Sequence, residues 1–137
     1  MYFDHEKLIV YQRSIEFVAF VAALLPRLQS PFGSIRDQLL RSSQSIALNI
    51  AEGNGKRSPA DRRRFFEIAR GSAMESAAAL DVLVAVGAIT LEEITPGKAL
   101  LFPVVKVLSK MTEYTAAARE EMTEYGRQDP LGDQEQD

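Results

Sequence analysis

The chain contains no cysteine, which excludes a disulfide framework, a thiolate zinc site and a cysteine nucleophile and fits a reducing cytoplasm. Histidine is nearly as scarce. The single His5 leaves no Ser-His-Asp set, and no glutamate stands three residues before it to make the Glu-x-x-His motif of a di-iron helical bundle. No metal, cofactor or catalytic residue is expected. No uninterrupted apolar run exceeds the nine residues Phe17 to Leu25, short of the roughly 20 that a membrane-spanning helix needs. The N-terminal MYFDHEK lacks the basic lead and apolar core of a secretory signal. A soluble, cytoplasmic protein with no membrane partner is the expectation. Strand-like alternation of useful length, internal repeats, nucleophile elbows and phosphate-binding glycine loops are absent as well. Gly53-Asn54-Gly55-Lys56 follows a helical stretch and lacks the spacing of such a loop.

What is present is a chain of 137 residues with 46% hydrophobic content, enough for one domain with a substantial core. The net charge of −3 conceals an asymmetry: Arg36 to Arg70 holds eight basic residues against four acidic, whereas Glu113 to Asp137 holds two basic against eight acidic. An overall acidic balance therefore does not exclude an anionic partner.

Four helical segments can be read. The first spans about His5 to Leu25, with Asp4 as N-cap and Leu8, Tyr11, Ile15, Val18, Val21 and Leu25 as its apolar stripe, and Pro26 closes it. The second spans about Ser34 to Glu52 and stops at Gly53-Asn54-Gly55, where glycine permits a left-handed cap. The third opens at Ser58-Pro59-Ala60-Asp61, a cap hydroxyl, a first-turn proline and an acid at capping-box spacing, and runs to about Val86 before Gly87. The fourth begins at Thr90 with Glu93 in the same relation and extends to about Tyr125. Pro96, Gly97 and Pro103 predict a short turn, a break and a kink within it. Residues 126–137 are polar and acidic and read as a disordered tail behind a domain of residues 1–125. Long amphipathic helices with short connections predict an all-α, antiparallel up-down four-helix bundle.

The middle third carries the strongest signal. Ser42, Asn49 and Gly53 fall into the same stripe as Ile35, Leu39, Ile46 and Ile50, and Ser72 and Glu75 fall between Ile68, Ala79 and Val82. A buried hydroxyl or amide costs a few kcal/mol unless hydrogen-bonded, so these side chains are expected to meet across two helices. Ser45, Asn49, Glu52, Ser72 and Glu75, with Arg70 or Arg41 as counterion, read as a structural polar network that fixes helix register rather than as a catalytic pocket. Tyr11, Phe17, Phe20, Phe65 and Phe66 are expected mainly in the core, and the apolar surplus of Phe17 to Leu25 points to contacts between subunits.

The block SSQSIALNIAEGNGKRS followed by RRRFFEIARGSAMES resembles the signature of a small bacterial family of four-helix bundle proteins. They are also called 23S rRNA intervening-sequence proteins, because some are encoded within insertions in large-subunit ribosomal RNA genes. The resemblance runs from about Asp4 to Tyr125. The family's helix-two residues fall on Ser45, Asn49, Glu52 and Gly53, its helix-three residues on Ala69, Arg70, Gly71, Ser72 and Glu75, and its basic turn on Lys56 and Arg57. Pro96, Pro103 and the acidic tail depart from the pattern. The family is similar to the accessory protein of diversity-generating retroelements, which implies a cyclic homopentamer and, as partners, nucleic acid and a reverse transcriptase.

Lys56, Arg57, Arg62, Arg63 and Arg64 form a basic cluster with one acid, Asp61, across its nine residues. Arginines in the first turns of a helix oppose its dipole by a few tenths of a kcal/mol each, so local helix stability does not explain them. Phosphate binding does. With no base-reading module in the sequence, the contacts expected are to the backbone of RNA or DNA. The alternative is a protein-interaction scaffold whose basic patch meets an acidic protein surface.

Overall fold

The computed structural model describes residues 2–113. Four α-helices, α1 (Ile9–Leu24), α2 (Gly33–Gly55), α3 (Pro59–Ala85) and α4 (Leu91–Met111), make up the fold, with 3-10 turns at Asp4–Lys7 and Leu25–Arg27. No strand occurs among the described residues. The helices pack in chain order, α1 against α2 and α4, and α3 against α2 and α4, with the α2–α3 seam the most extensive. The fourth helix ends at Met111 with Thr112 as its C-cap rather than running on unbroken to Tyr125; Tyr125 itself and the tail of residues 126–137 lie outside the described residues.

Two helix starts follow their local chemistry. The Ser58 hydroxyl accepts from the Asp61 amide at 3.3 Å, with Pro59 in the first turn of α3. Thr90 and Glu93 cap α4 reciprocally, the Glu93 amide donating to Thr90 Oγ1 at 3.2 Å and the Thr90 amide to Glu93 Oε1 at 3.2 Å. Arg27 reaches this capping glutamate from the end of the first helical segment and ion-pairs with it. Gly87, at φ +79°, supplies the left-handed turn after α3.

Other expectations are corrected. Asp4 is not the N-cap of α1; it lies in the preceding 3-10 turn, where its carboxylate accepts from Asn54 Nδ2 at 3.0 Å. Pro26 sits inside a 3-10 turn that extends the first segment. The second helix does not stop at Glu52, because Gly53 and Gly55 keep a negative φ and α2 continues through both. The break and restart in the fourth helix do not occur either: α4 is one helix of 21 residues with Pro96 and Pro103 inside it. Each internal proline removes a backbone hydrogen bond and costs about 3 kcal/mol. Ile94, Leu101, Val104 and Leu108, all buried on one face, offset that cost, and Gly97 lets the helix approach Phe20.

The apolar stripe of α1 is rotated from its expected phase. Val10, Ser14, Phe17, Val21 and Leu24 are buried, whereas Ile15 is 45% exposed. Ser14 tolerates the interior by donating to the Val10 carbonyl at 2.7 Å. On α3, similarly, Ile68 and Val82 are largely exposed, and Phe66, Ala69, Ala73, Ser76, Leu80 and Leu83 face the core. Counted as a helical window rather than an unbroken run, Ile9–Arg27 is long and apolar enough to cross a membrane by length and composition. Arg13 and Glu16, paired at 3.0 Å, interrupt the run in sequence without removing its apolar character. Phe17, Val21 and Leu24 of this segment belong to the core shared with the other helices.

Candidate nucleic-acid interface

The α2–α3 turn places the basic cluster at one end of the fold. Lys56, Arg57 and Ser58 connect the two helices, so the cations beyond them rise on the first turns of α3. Phe65 organises two of them. Lys56 Nζ lies 5.2 Å and the Arg64 guanidinium 5.1 Å from its ring centroid, each contact contributing about 0.5–1 kcal/mol at a solvent-exposed site. Lys56 also pairs with Glu52 at 3.2 Å, across one helical turn. Arg57 and Arg64 are exposed, and Arg63 is half-buried.

Arg62 serves a different purpose. Its guanidinium donates to the carbonyls of Asn54 at 2.7 Å and Lys56 at 3.2 Å, and stacks 5.6 Å from the centroid of Phe66. The last carbonyls of a helix have no partner within it, and Arg62 supplies that partner for α2. Its charge is committed to closing the turn; Lys56 and Arg64 around Phe65, with the exposed Arg57, make up the candidate phosphate-binding set.

The polar residues of the middle third meet along the α2–α3 seam. Ser42 Oγ and Ser76 Oγ share a buried hydrogen bond of 2.7 Å, and Ser72 Oγ donates to Ser45 Oγ at 2.8 Å. Asn49 Nδ2 donates to Ser45 Oγ at 3.0 Å and to its carbonyl at 2.8 Å, so this amide is satisfied within its own helix. Gln38 Nε2 donates to Glu75 at 3.3 Å. Two members of the expected network lie elsewhere. Glu52 is exposed and engaged by Lys56, and Arg70 turns to α4, where its Nε donates to Ser109 Oγ at 2.8 Å. Ser76 and Gln38 join the seam from outside the expected set, Ser76 one turn beyond Ser72 on the same face. Gly53 is buried against Phe65 and Phe66, and closes this seam at the basic end.

Comparison with known proteins agrees with the signature. No curated protein matches the chain. A crystal structure of a protein of unknown function from the S23 ribosomal protein family of Bacteroides thetaiotaomicron is similar at a TM-score of 0.71 and 27% sequence identity, covering 77% of this chain and all of that one. The model of the 23S rRNA-intervening sequence protein family matches residues 6–110, which takes in all four helices up to the last turn of α4. The chain belongs to the 23S rRNA-intervening sequence protein family.

Proposed function

We propose that this is a non-enzymatic, oligomeric helical-bundle protein of the bacterial cytoplasm that binds RNA or DNA through the basic α2–α3 turn, as an accessory or scaffold factor. The observation that carries the reading is the arrangement around Phe65, which holds Lys56 and Arg64 close together beside the exposed Arg57, with Glu52 paired to Lys56. A non-enzymatic role is supported by Glu52 and Glu75, both exposed carboxylates in contact with bulk water.

Short connections between helices that pack in chain order support an antiparallel up-down arrangement. Two apolar grooves support self-assembly into a cyclic homo-oligomer, with a homopentamer as the form proposed. One, of about 330 Å³, lies between α3 and α4 beside Met74, Leu101, Phe102 and Val105. The other, of about 650 Å³, lies between α1 and α4 beside Leu8, Ile9, Pro103 and Val107. Phe102 and Ile9 are about two-thirds exposed in the single chain, as subunit contacts would require. The same grooves favour a second reading, a protein scaffold that binds no nucleic acid.

Binding of a labelled mixed-sequence duplex, followed by fluorescence anisotropy between about 50 and 200 mM salt, separates the two. If each subunit neutralises two phosphates, log affinity falls against log salt with a slope of about −1.8 per subunit in contact. The double variant Arg57→Glu, Arg64→Glu should abolish binding while leaving the helical circular dichroism unchanged. Arg62 is left intact in this test because its loss opens the α2–α3 turn. Binding that ignores both salt and the double reversal would refute the proposal, and no binding at all would favour the scaffold.

A further inference from the structure

A cleft of about 220 Å³ opens along the α2–α3 seam, lined by Gln38, Arg41, Ser42, Ser45, Ser72 and Glu75. Its two walls carry opposite charges. Arg41 and Ser45 stand one turn apart on α2, with Ser42 between them bonded to Ser76, and Ser72 and Glu75 stand three residues apart on α3, so each wall presents one charge beside a hydroxyl. The two charges are not paired with each other: Arg41 makes no hydrogen bond or ion pair among the described residues, and Glu75 receives only the 3.3 Å contact from Gln38. The hydroxyls are biased as well. Ser45 Oγ accepts from both Ser72 Oγ and Asn49 Nδ2, which occupies its lone pairs and leaves its proton as a donor.

We infer that this cleft binds a small zwitterion carrying one carboxylate and one ammonium group, a free amino acid or a short ω-amino acid. The carboxylate lies against the Arg41 guanidinium and the Ser45 hydroxyl, charge-assisted donors on the α2 wall. The ammonium lies against Glu75 on the α3 wall. A ligand of a single charge leaves one wall uncompensated, whereas a zwitterion satisfies both. The volume favours a small ligand, since it falls below the roughly 300–1,000 Å³ of pockets that take drug-sized molecules. This site is separate from the basic turn and does not depend on nucleic-acid binding.

Isothermal titration calorimetry of the full chain with glycine, β-alanine and 4-aminobutyrate, and with acetate and methylammonium as single-charge controls, tests it. At least one zwitterion should bind at least about tenfold tighter than either control, and Arg41→Gln and Glu75→Gln should each weaken it about tenfold. Both side chains are exposed, so neither change touches the core; the Arg41 variant also breaks no hydrogen bond. The proposal is overturned if no zwitterion binds, if acetate binds as tightly, or if binding survives Arg41→Gln. An Arg41→Gln variant that loses affinity for RNA while the parent ignores every zwitterion would likewise overturn it, assigning Arg41 to the polyanion surface.

Discussion

Replacing Phe17 with alanine should lower the free energy of unfolding by about 3–5 kcal/mol, the cost of emptying a fully buried aromatic site. The ring has no solvent exposure and lies in the core with Val21, Leu24 and the facing helices. Set against the roughly 5–15 kcal/mol that holds a typical domain together, that is a large share of the total. Ile15→Ala, two residues earlier, should change stability by less than about 1 kcal/mol, because Ile15 stands on the outer side of α1. Urea denaturation of the two variants measures the difference. The pair also fixes the rotation of α1 about its own axis, since the stripe read from sequence would place Ile15 inside. Comparable losses from both would contradict the observed phase.

Gly53→Asn should destabilise the protein by about 3 kcal/mol, the upper end of what overpacking a closed site costs. A Cβ at this position meets Phe66 Cε1 at 2.8 Å and Phe65 Cβ at 3.1 Å. Phe66 is almost fully buried and has nowhere to retreat, and the Phe65 Cβ is fixed by its backbone. Asparagine is the informative substitute because it adopts the left-handed conformation more readily than other side chains. Were Gly53 a helix-ending cap, Asn would be tolerated within a few tenths of a kcal/mol. Gly55→Asn should show that mild response, since a Cβ there meets nothing within 4 Å. Thermal unfolding of the two variants side by side reads the contrast.

These two sites show where sequence reasoning carries and where it fails. Ser58, the Thr90–Glu93 pair and Gly87 are legible because a cap is built from residues a few positions apart. The phase of α1 is not, because the apolar run from Phe17 to Leu25 surrounds the helix and offers no polar face to orient it. Gly53 signals in sequence that something needs a missing side chain, yet whether a turn or a neighbouring ring needs it depends on Phe66, thirteen residues away. Pro96 and Pro103 predict a break from a real local cost, which burial of Leu101 and Val104 outweighs. At the site, the serines of α2 and α3 announce a polar seam by falling in apolar stripes, and Ser45 does reach Ser72. The basic cluster is visible as charge, but its division is not. Nothing in RRR indicates that the first arginine folds back to the carbonyls ending α2.

The two prolines of α4 bear on the order in which the molecule assembles. A peptide with two internal prolines has almost no helical content alone, since nucleation is already unfavourable without them. Helix α4 therefore gains its regularity only by docking, whereas α2 and α3, joined by three residues and sharing the largest seam, can associate early at small loop-closure cost. The amides of Leu101 and Val104 should accordingly exchange with solvent faster than those of Ile46 and Ile50, although all four side chains are equally hidden from water. Burial and persistence should come apart here, with the helix that depends on docking for its regularity the first to open.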